Sequence, residues 1–493
     1  MNHYNAILKA TSLFSGVQGL NIVLNIIRTK IVAVLIGAEG VGLNSIYNES
    51  RELLHSTSNL GLDVSGVRGL SKAYEEMTAA ESAHADDATL SAMRQRIADE
   101  VALLRSWVVL LALLGMFLCM ALSAPLSLMT FDDYDHIYGY VMLSPAVAFS
   151  TVTCGELAVL KGLRRLKWIA TVSLLNVLAG LVISVPIYYV WGIDGVLAAL
   201  VTLCMAMMVI TCSFSLRAAP LRLVFSGKAL RKGSRMLTVG FNFVVCSIIG
   251  HLALLGILSY LNNAASEETV GLYSAGYTLT MTYAGMVFAA METDYFPRLS
   301  GVVTDPLERA ATMLRQQDVS LILITPLLAA MIVAVPILVP LFLDKTFESI
   351  IPMAQVTTVG LIFRAVYLPN AYISLAAGDN RTFLAINIVG AIDILLVIVG
   401  YHYYGLIGTG VALTVQNFID MALVMAVSKW KYGVEFTLPR MLSLGVFILL
   451  LVVTYGCSQC LEGWKYWAAG AAMTALTALY SYIRYRGAWQ ENA

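Results

Sequence analysis

Charge is what this sequence has least of. Only 13% of its 493 residues are Asp, Glu, Lys or Arg, against roughly 25% in a soluble protein, so water is excluded as the main solvent. The charges present cancel, 31 basic against 31 acidic, with a pI near 7.0. Nothing in that balance points to nucleic acid or a polyacidic partner. Cysteine is sparse and odd in number, seven in all. Cys119, Cys154, Cys204, Cys212 and Cys246 lie in apolar runs, which argues against a disulfide framework. Cys457 and Cys460 form a C-x-x-C at a helix end and are not read as a redox or metal site. G-x-x-x-x-G-K-[ST] is missing, and Gly227-Lys228 lacks the upstream glycine, so ATP hydrolysis is excluded. H-E-x-x-H is missing too, and no soluble stretch is long enough to hold a catalytic site. No cofactor is expected. No cleavable signal peptide is expected either, because the first apolar stretch is too long, too polar and lacks a small-residue cleavage site.

What is plentiful is apolar: 59% of residues are hydrophobic and the mean hydropathy is +0.77. The apolar runs give fourteen candidate spans, each long enough to cross a bilayer. They are 10–36, 41–69, 103–126, 138–160, 169–190, 195–217, 236–261, 270–296, 318–344, 350–376, 383–403, 405–428, 441–461 and 466–483. Backbone groups cannot stay unpaired in lipid, so these must be helices. The ten-residue alternation of a barrel is missing. The fold class is therefore an all-α polytopic membrane protein.

Lys and Arg set the orientation. Under this segmentation 25 of the 31 basic residues fall in loops or at span ends on the side of the N-terminus, with Arg68, Arg105 and Arg217 at span ends. The opposite loops hold only Lys345 and Lys465, and Arg28, Lys30, Arg51 and Arg364 lie within spans. Both termini are expected in the cytoplasm. The outer loops Phe131-Asp132-Asp133-Tyr134-Asp135 and Ser266-Glu267-Glu268 are acidic. The longest loop, about 70–102, is cytoplasmic and mixed in charge.

The two halves echo one another. Val41-Gly42-Leu43-Asn44-Ser45 opens span two and Val270-Gly271-Leu272-Tyr273-Ser274 opens span eight. The same offset carries Leu70-Ser71 onto Leu299-Ser300. Gly192-Ile193-Asp194-Gly195 and Gly405-Leu406-Ile407-Gly408 precede spans six and twelve, and Asn176-Val177 and Asn387-Ile388 are similarly placed in spans five and eleven. The expected organisation is an N-lobe over 1–219, a basic cytoplasmic linker over 220–235, a C-lobe over 236–430, and two extra helices over 431–493. The six-helix lobes are parallel copies around a central cavity, and transporters built from repeats bind cargo between them.

Polar residues follow helical faces. In span one Gln18, Asn21, Asn25 and Arg28 are spaced 3, 4, 3. In span two Asn44, Asn48, Arg51, His55 and Ser58 share a face, with Ser45, Glu49, Glu52, Ser56 and Asn59 beside them. A polar face that broad must line water or pack on other polar groups. Interhelical bonding, with Glu52, Arg51 and His55 neutralising one another, is the competing explanation to a wetted cavity. Counted from the outer turns, Arg28, Arg51, His251 and Arg364 form a layer from the outer half to the midplane. Each unpaired charge there costs at least ~2.5–3.5 kcal/mol, so retained arginines suggest an anion, and guanidinium matches phosphate bidentately. Asp393 and Asp420, with Glu49 and Glu52, are candidates for ion coupling, though capping of helix contacts is equally open for the aspartates. Glu156, Glu292 and Asp294 are expected to be solvated near cytoplasmic ends.

Arg28-Thr29-Lys30-Ile31-Val32-Ala33, followed by Gly37-Ala38-Glu39-Gly40-Val41-Gly42, resembles the first hairpin of polysaccharide flippases. These belong to the multidrug/oligosaccharidyl-lipid/polysaccharide exporter superfamily. The architectural likeness covers about residues 1–430. Arg-x-x-Ile-Val-Ala-x-x-x-Gly-Ala also resembles the first helix of lipid II flippases, where an arginine in that place is functional; Arg51 has no clear register match in that family. The resemblance implies a secondary transporter of undecaprenyl-diphosphate-linked oligosaccharide in O-antigen or exopolysaccharide biosynthesis, acting in the bacterial cytoplasmic (inner) membrane. Arg28, Arg51, Arg364, His251, Asn21, Asn25 and Asn48 would line the cavity. Membrane lipids, glycosyltransferases and a polysaccharide polymerase are the implied partners, and nucleic acid is not. A cation-coupled multidrug or metabolite antiporter and a lipid II flippase remain the alternatives. A polymerase or ligase would carry a long outer loop, which is missing here.

Overall fold

The computed structural model describes residues 3–226 and 241–490. The linker cations Lys228, Arg231, Lys232 and Arg235, and the side chains of Gln18, Glu292 and Asp294, lie outside the described residues. No strand occurs among the described residues. The chain forms two compact units, Met1–Glu268 and Thr269–Ala493.

The first unit contains α1 (His3–Asn59), α2 (Leu62–Ser82), α3 (Asp87–Ala121), α4 (Ser123–Phe131), α5 (Ile137–Gly162), α6 (Leu166–Trp191), α7 (Val196–Ala218) and α8 (Phe241–Ala264). The second contains α9 (Glu267–Tyr277), whose first residues close the first unit, then α10 (Tyr283–Gly301), α11 (Pro306–Phe342), α12 (Ile351–Ala376), α13 (Asn380–Gly390), α14 (Asp393–Tyr432), α15 (Leu438–Cys460) and α16 (Gly463–Gln490). A π-helical turn, Thr278–Thr282, joins α9 to α10.

Nine described segments are long and apolar enough to cross a membrane, and three of them are double length. Gly19–Asn59, Leu166–Ala218 and Arg381–Tyr432 run 41, 53 and 52 residues, about twice the ~20 residues one crossing needs. Each is broken by a glycine at positive φ: Gly37 (φ 63°), Gly192 (φ 55°) and Gly405 (φ 58°). A side chain is disfavoured in that region, whereas glycine enters it freely. Tyr188 locates the first reversal, since it lies beside Arg28 and also donates to Asn44 Oδ1 at 3.5 Å. Sixteen residues of straight helix would separate those two by about 24 Å. At Gly405 the turn is tighter: a Cβ on Gly408 would stand 1.8 Å from the Gly400 carbonyl oxygen. Gly192 and Gly405, paired by the sequence echo, share a conformation, with ψ of −130° and −142°.

The core of the first unit surrounds the second half of α1. Tyr47, Leu54, Tyr140, Leu143, Val147, Tyr188 and Leu255 pack in one buried cluster. Its tyrosines keep their hydroxyls satisfied: Tyr47 with His136 Nδ1 at 2.9 Å, and Tyr140 with Thr130 at 2.8 Å. Leu255 brings α8 into this cluster, although the sequence division assigned that helix to the second half. Polar contacts fix it there as well. Ser247 donates to Ser56 at 3.2 Å, and Asn262 and Asn263 donate to the carbonyls of Thr130 and Met129 at 3.0 and 3.2 Å. In the second unit Tyr295, buried, donates to the Pro369 carbonyl at 2.7 Å, and Asn370 donates to Gln317 at 3.3 Å. All seven cysteines are free thiols.

Candidate functional site

Two groups of intramembrane polar residues emerge, one in each unit. In the first, the halves of α1 carry them, because the turn at Gly37 folds both polar faces into one bundle. Asn21, buried, donates to Ser173 on α6 at 2.8 Å. Two turns further on, Arg28 Nε donates to Ser184 of α6 at 3.3 Å. The guanidinium lies over Gly180, where an added Cβ would be 3.1 Å from Nη1. Arg28 makes no ion pair among the described residues, so its charge is met only by neutral oxygen. Asn25, between these two, is half-buried.

Span two is arranged differently. Arg51 donates through Nη1 to Ser150 of α5 at 2.5 Å. Its Nη2 reaches Asn48 Oδ1 at 2.9 Å and Glu52 Oε1 at 2.6 Å, while Nε is buried without a partner. His55 meets Thr151 at 3.1 Å. The neighbouring stripe turns toward α8, where Glu49 Oε1 lies 2.6 Å from His251 Nδ1. The structure thus brings Arg51, Asn48 and Glu52 together, joins Glu49 to His251, and holds Asn21 and Arg28 against α6. Much of the span-two stripe is internally neutralised, as the competing explanation expected, whereas Arg28 is not.

In the second unit Arg364 on α12 contacts Met281 Sδ at 3.8 Å and leaves Nε buried without a hydrogen bond. Asp420 accepts from Gln416 Nε2 at 2.9 Å, and that amide also reaches the Gly390 carbonyl at 3.1 Å. Asp393 and Arg364 both lie within electrostatic range of Asp420, and Tyr273 within range of Asp393. Asp393 Oδ1, Gln416 Oε1 and the fully buried Tyr273 hydroxyl all lack partners. Four unsatisfied polar atoms, counting Arg364 Nε, are an unusual concentration for a protein interior. They belong to one cation, one carboxylate and two neutral side chains, linked pairwise through Asp420 and Asp393. No group of three or more His, Cys, Asp or Glu side chains is placed to hold a metal among the described residues.

One expectation fails. Glu156 is not solvated: it is 6% exposed and holds Arg105, itself 2% exposed. The guanidinium takes the carboxylate bidentately at 2.9 Å through both Nε and Nη2. It also donates to Ser215 at 3.2 Å and to the carbonyls of Ala219 and Pro220 at 3.0 and 2.9 Å. The orientation reading counts Arg105 with the cytoplasmic-side cations. The apolar residues on both sides of it, Val101 to Leu104 and Trp107 to Leu114, were the available signal for burial.

A family model described as polysaccharide biosynthesis protein matches residues 7–303, more than half of the chain. The chain belongs to this family. Among solved structures it is similar to the lipid II flippase MurJ in an inward closed conformation, at 15% identity and TM-score 0.67, covering 96% of this chain and 99% of that one. An inward-facing multidrug resistance MATE family transporter of the MOP superfamily aligns at 12% identity and TM-score 0.62, covering 84% and 94%. A MOP superfamily transporter from Pyrococcus furiosus, with a binding pocket of reversed polarity, aligns at 11% identity and TM-score 0.59, covering 86% and 94%. Comparison with curated proteins gives no match. The fold is that of the MOP superfamily. Family membership ties the chain to polysaccharide biosynthesis, and its multi-helical fold is one shared with membrane transporters and a flippase.

Proposed function

We propose that this transporter flips undecaprenyl-diphosphate-linked oligosaccharide from the inner to the outer leaflet of the bacterial cytoplasmic membrane. It acts by alternating access, with both termini in the cytoplasm. The observation that carries the reading is Arg28, a guanidinium within a membrane span whose bonded partner is a hydroxyl. Carrying such a charge into a bilayer costs at least ~2.5–3.5 kcal/mol, and an anionic cargo returns that cost in a way that a neutral or cationic one does not. Diphosphate fits the fork of a guanidinium. Membership of a polysaccharide biosynthesis family supports a saccharide-bearing cargo.

In this scheme Arg28 makes a phosphate contact in the first unit, and Arg364 is the candidate cation of the second, taken by itself. Asn21, Asn25 and Asn48 offer neutral donors and acceptors. Arg51 engages the cargo only by exchanging Glu52, and His251 only by releasing Glu49. Glu49 and Glu52 on one side, and Asp393 and Asp420 on the other, are the candidates for coupling transport to an ion. Glycosyltransferases would supply the cargo and a polymerase would consume it.

The test is reconstitution into vesicles with defined cargoes. Lipid-linked oligosaccharide should cross in the native protein and not in Arg28→Ala, at equal protein content. Lipid II alone crossing, or organic cations alone, would replace this reading with the corresponding alternative.

A further inference from the structure

The second unit carries a groove that transport as proposed does not use. It lies where the start of α13 meets the end of α14 and encloses about 560 Å³, within the usual ~300–1,000 Å³ of a ligand pocket. Val389 of α13 and Leu423 and Val427 of α14 form its wall, and Arg381, Trp430 and Lys431 form its rim. The helices are tied together at the rim end, where Lys431 Nζ donates to Thr382 Oγ1 at 2.6 Å. Arg381 to Val389, and Lys431 back to Leu423, are each eight residues, or about 12 Å of helix. The groove is therefore charged at one end and apolar for the following two turns.

The rim is cationic beyond its internal pairing. Lys431 is bonded to Asp379 and Thr382, which uses two of the three donors of an ammonium group. Arg381 is exposed and makes no ion pair among the described residues. Trp430, 88% exposed, sits where an amphipathic indole anchors a membrane boundary. A soluble anion would leave the apolar wall unexplained, and an apolar ligand would leave the guanidinium unexplained.

We propose that this groove binds an anionic glycerophospholipid, its phosphate on Arg381 and Lys431 and an acyl chain along Val389, Leu423 and Val427. Basic pockets between membrane helices hold acidic headgroups in this way. The orientation argued above makes it a lipid of the inner leaflet. Occupancy itself does not depend on the flippase reading.

The probe is quenching of Trp430 by acyl-brominated lipid in nanodiscs. The native protein minus Trp430→Phe isolates the signal of this one indole. Brominated phosphatidylglycerol should reach half-quenching at a several-fold lower mole fraction than brominated phosphatidylcholine. Arg381→Gln, at an exposed position, should erase that difference while leaving the elution profile unchanged. Equal quenching by both lipids in the native protein overturns the proposal, as does a preference that survives Arg381→Gln. Displacement of brominated lipid by polyprenyl phosphate but not by unbrominated phosphatidylglycerol would give the groove to the cargo instead, and also overturns it. No transport is measured, so failure here and failure of the flippase reading register separately.

Discussion

Arg105 and Glu156, on α3 and α5, form a bidentate pair with oxygens and nitrogens at 2.9 Å, sealed from solvent and lipid alike. The same guanidinium grips the carbonyls of Ala219 and Pro220, and Ser106 beside it accepts from the Val224 amide at 2.7 Å. Together they fasten the chain leaving α7 to the body of the first unit.

Removing one member of a buried pair strands the other charge and costs about 3–5 kcal/mol. Arg105→Ala and Glu156→Ala should each lower the thermal unfolding midpoint of the solubilised protein sharply. Arg105→Met combined with Glu156→Leu should recover most of the loss, because the stranded charge is gone. A double variant no better than the singles would mean that the carbonyl contacts, and not charge, hold the segment.

At Arg28 the expected outcome is opposite in kind. Arg28→Ala should abolish transport with near-normal membrane levels, since its one bond to Ser184 is weak in geometry. Arg28→Lys should keep partial activity, because the charge persists and the fork is lost. Flux assays normalised to immunodetected protein give the comparison, and normal flux in Arg28→Ala would remove the phosphate role.

The spans were legible because lipid imposes a blunt requirement of length and apolarity. Even the three short turns were marked, by Gly37, Gly192 and Gly405. Pairings across the fold were not legible. Glu156 finds Arg105 from 51 residues away, and Glu49 finds His251 from 202, and no periodicity encodes such distances. The allegiance of α8 was hidden for a similar reason. It has no distinct polar or apolar face, so hydropathy could not say which bundle it packs with, while the repeat pointed to the other half. Of the site, the shared faces in α1 followed from helical spacing. The neutralisation of Arg51 and the exposure of Arg28 to neutral partners needed coordinates.

Sidedness is checked by cysteine labelling in a cysteine-free background. Asp135→Cys, in an exposed outer turn, should react with an impermeant reagent in intact cells. His84→Cys, in the exposed turn after α2, should react only after permeabilisation. Reversed labelling would overturn the orientation.

Two carboxylates outside the spans should answer pH in opposite senses. Partial burial pushes the Asp379 carboxyl up, but bonds from Lys431, Thr382 and Tyr432 outweigh it and hold it well below the usual range. Its contribution is therefore complete above the free value of about 3.9 and lost only at still lower pH. Asp379→Asn should show a constant stability deficit from pH 8 down to about 4.5. Burial first, then repulsion from Glu39 and Asp133, pushes Glu267 up. Its contribution is whole below about 4.3 and fades as pH rises through the elevated value. Glu267→Gln should therefore be more stable than the parent at pH 7, with the difference vanishing on acidification. Unfolding midpoints across pH 4–8 read both.

The driving force is open to direct measurement. Each elementary charge moved through the membrane is worth about 2.3 kcal/mol per 100 mV, so an outward-moving diphosphate of roughly two charges gains up to ~4–5 kcal/mol per 100 mV. A potassium–valinomycin potential alone should drive net flipping in vesicles without a pH or sodium gradient. Flux that ignores the potential and follows protons or sodium would transfer the task to Asp393 and Asp420.

The reversal at Gly37 also bears on how the chain enters the bilayer during synthesis. The stretch after it carries Asn44, Asn48, Glu49, Arg51, Glu52 and His55, and several charged residues at a cost of up to ~2.5–3.5 kcal/mol each make it a poor candidate for insertion alone. Its predecessor from Leu20 to Ile36 is the more apolar of the two despite Asn21, Asn25, Arg28 and Lys30, and a single glycine separates them. With no loop to let them act independently, the pair must leave the translocon as one unit, the greasy helix escorting the polar one. A polar spacer inserted after Gly37 would uncouple them and leave the second stretch stranded in water.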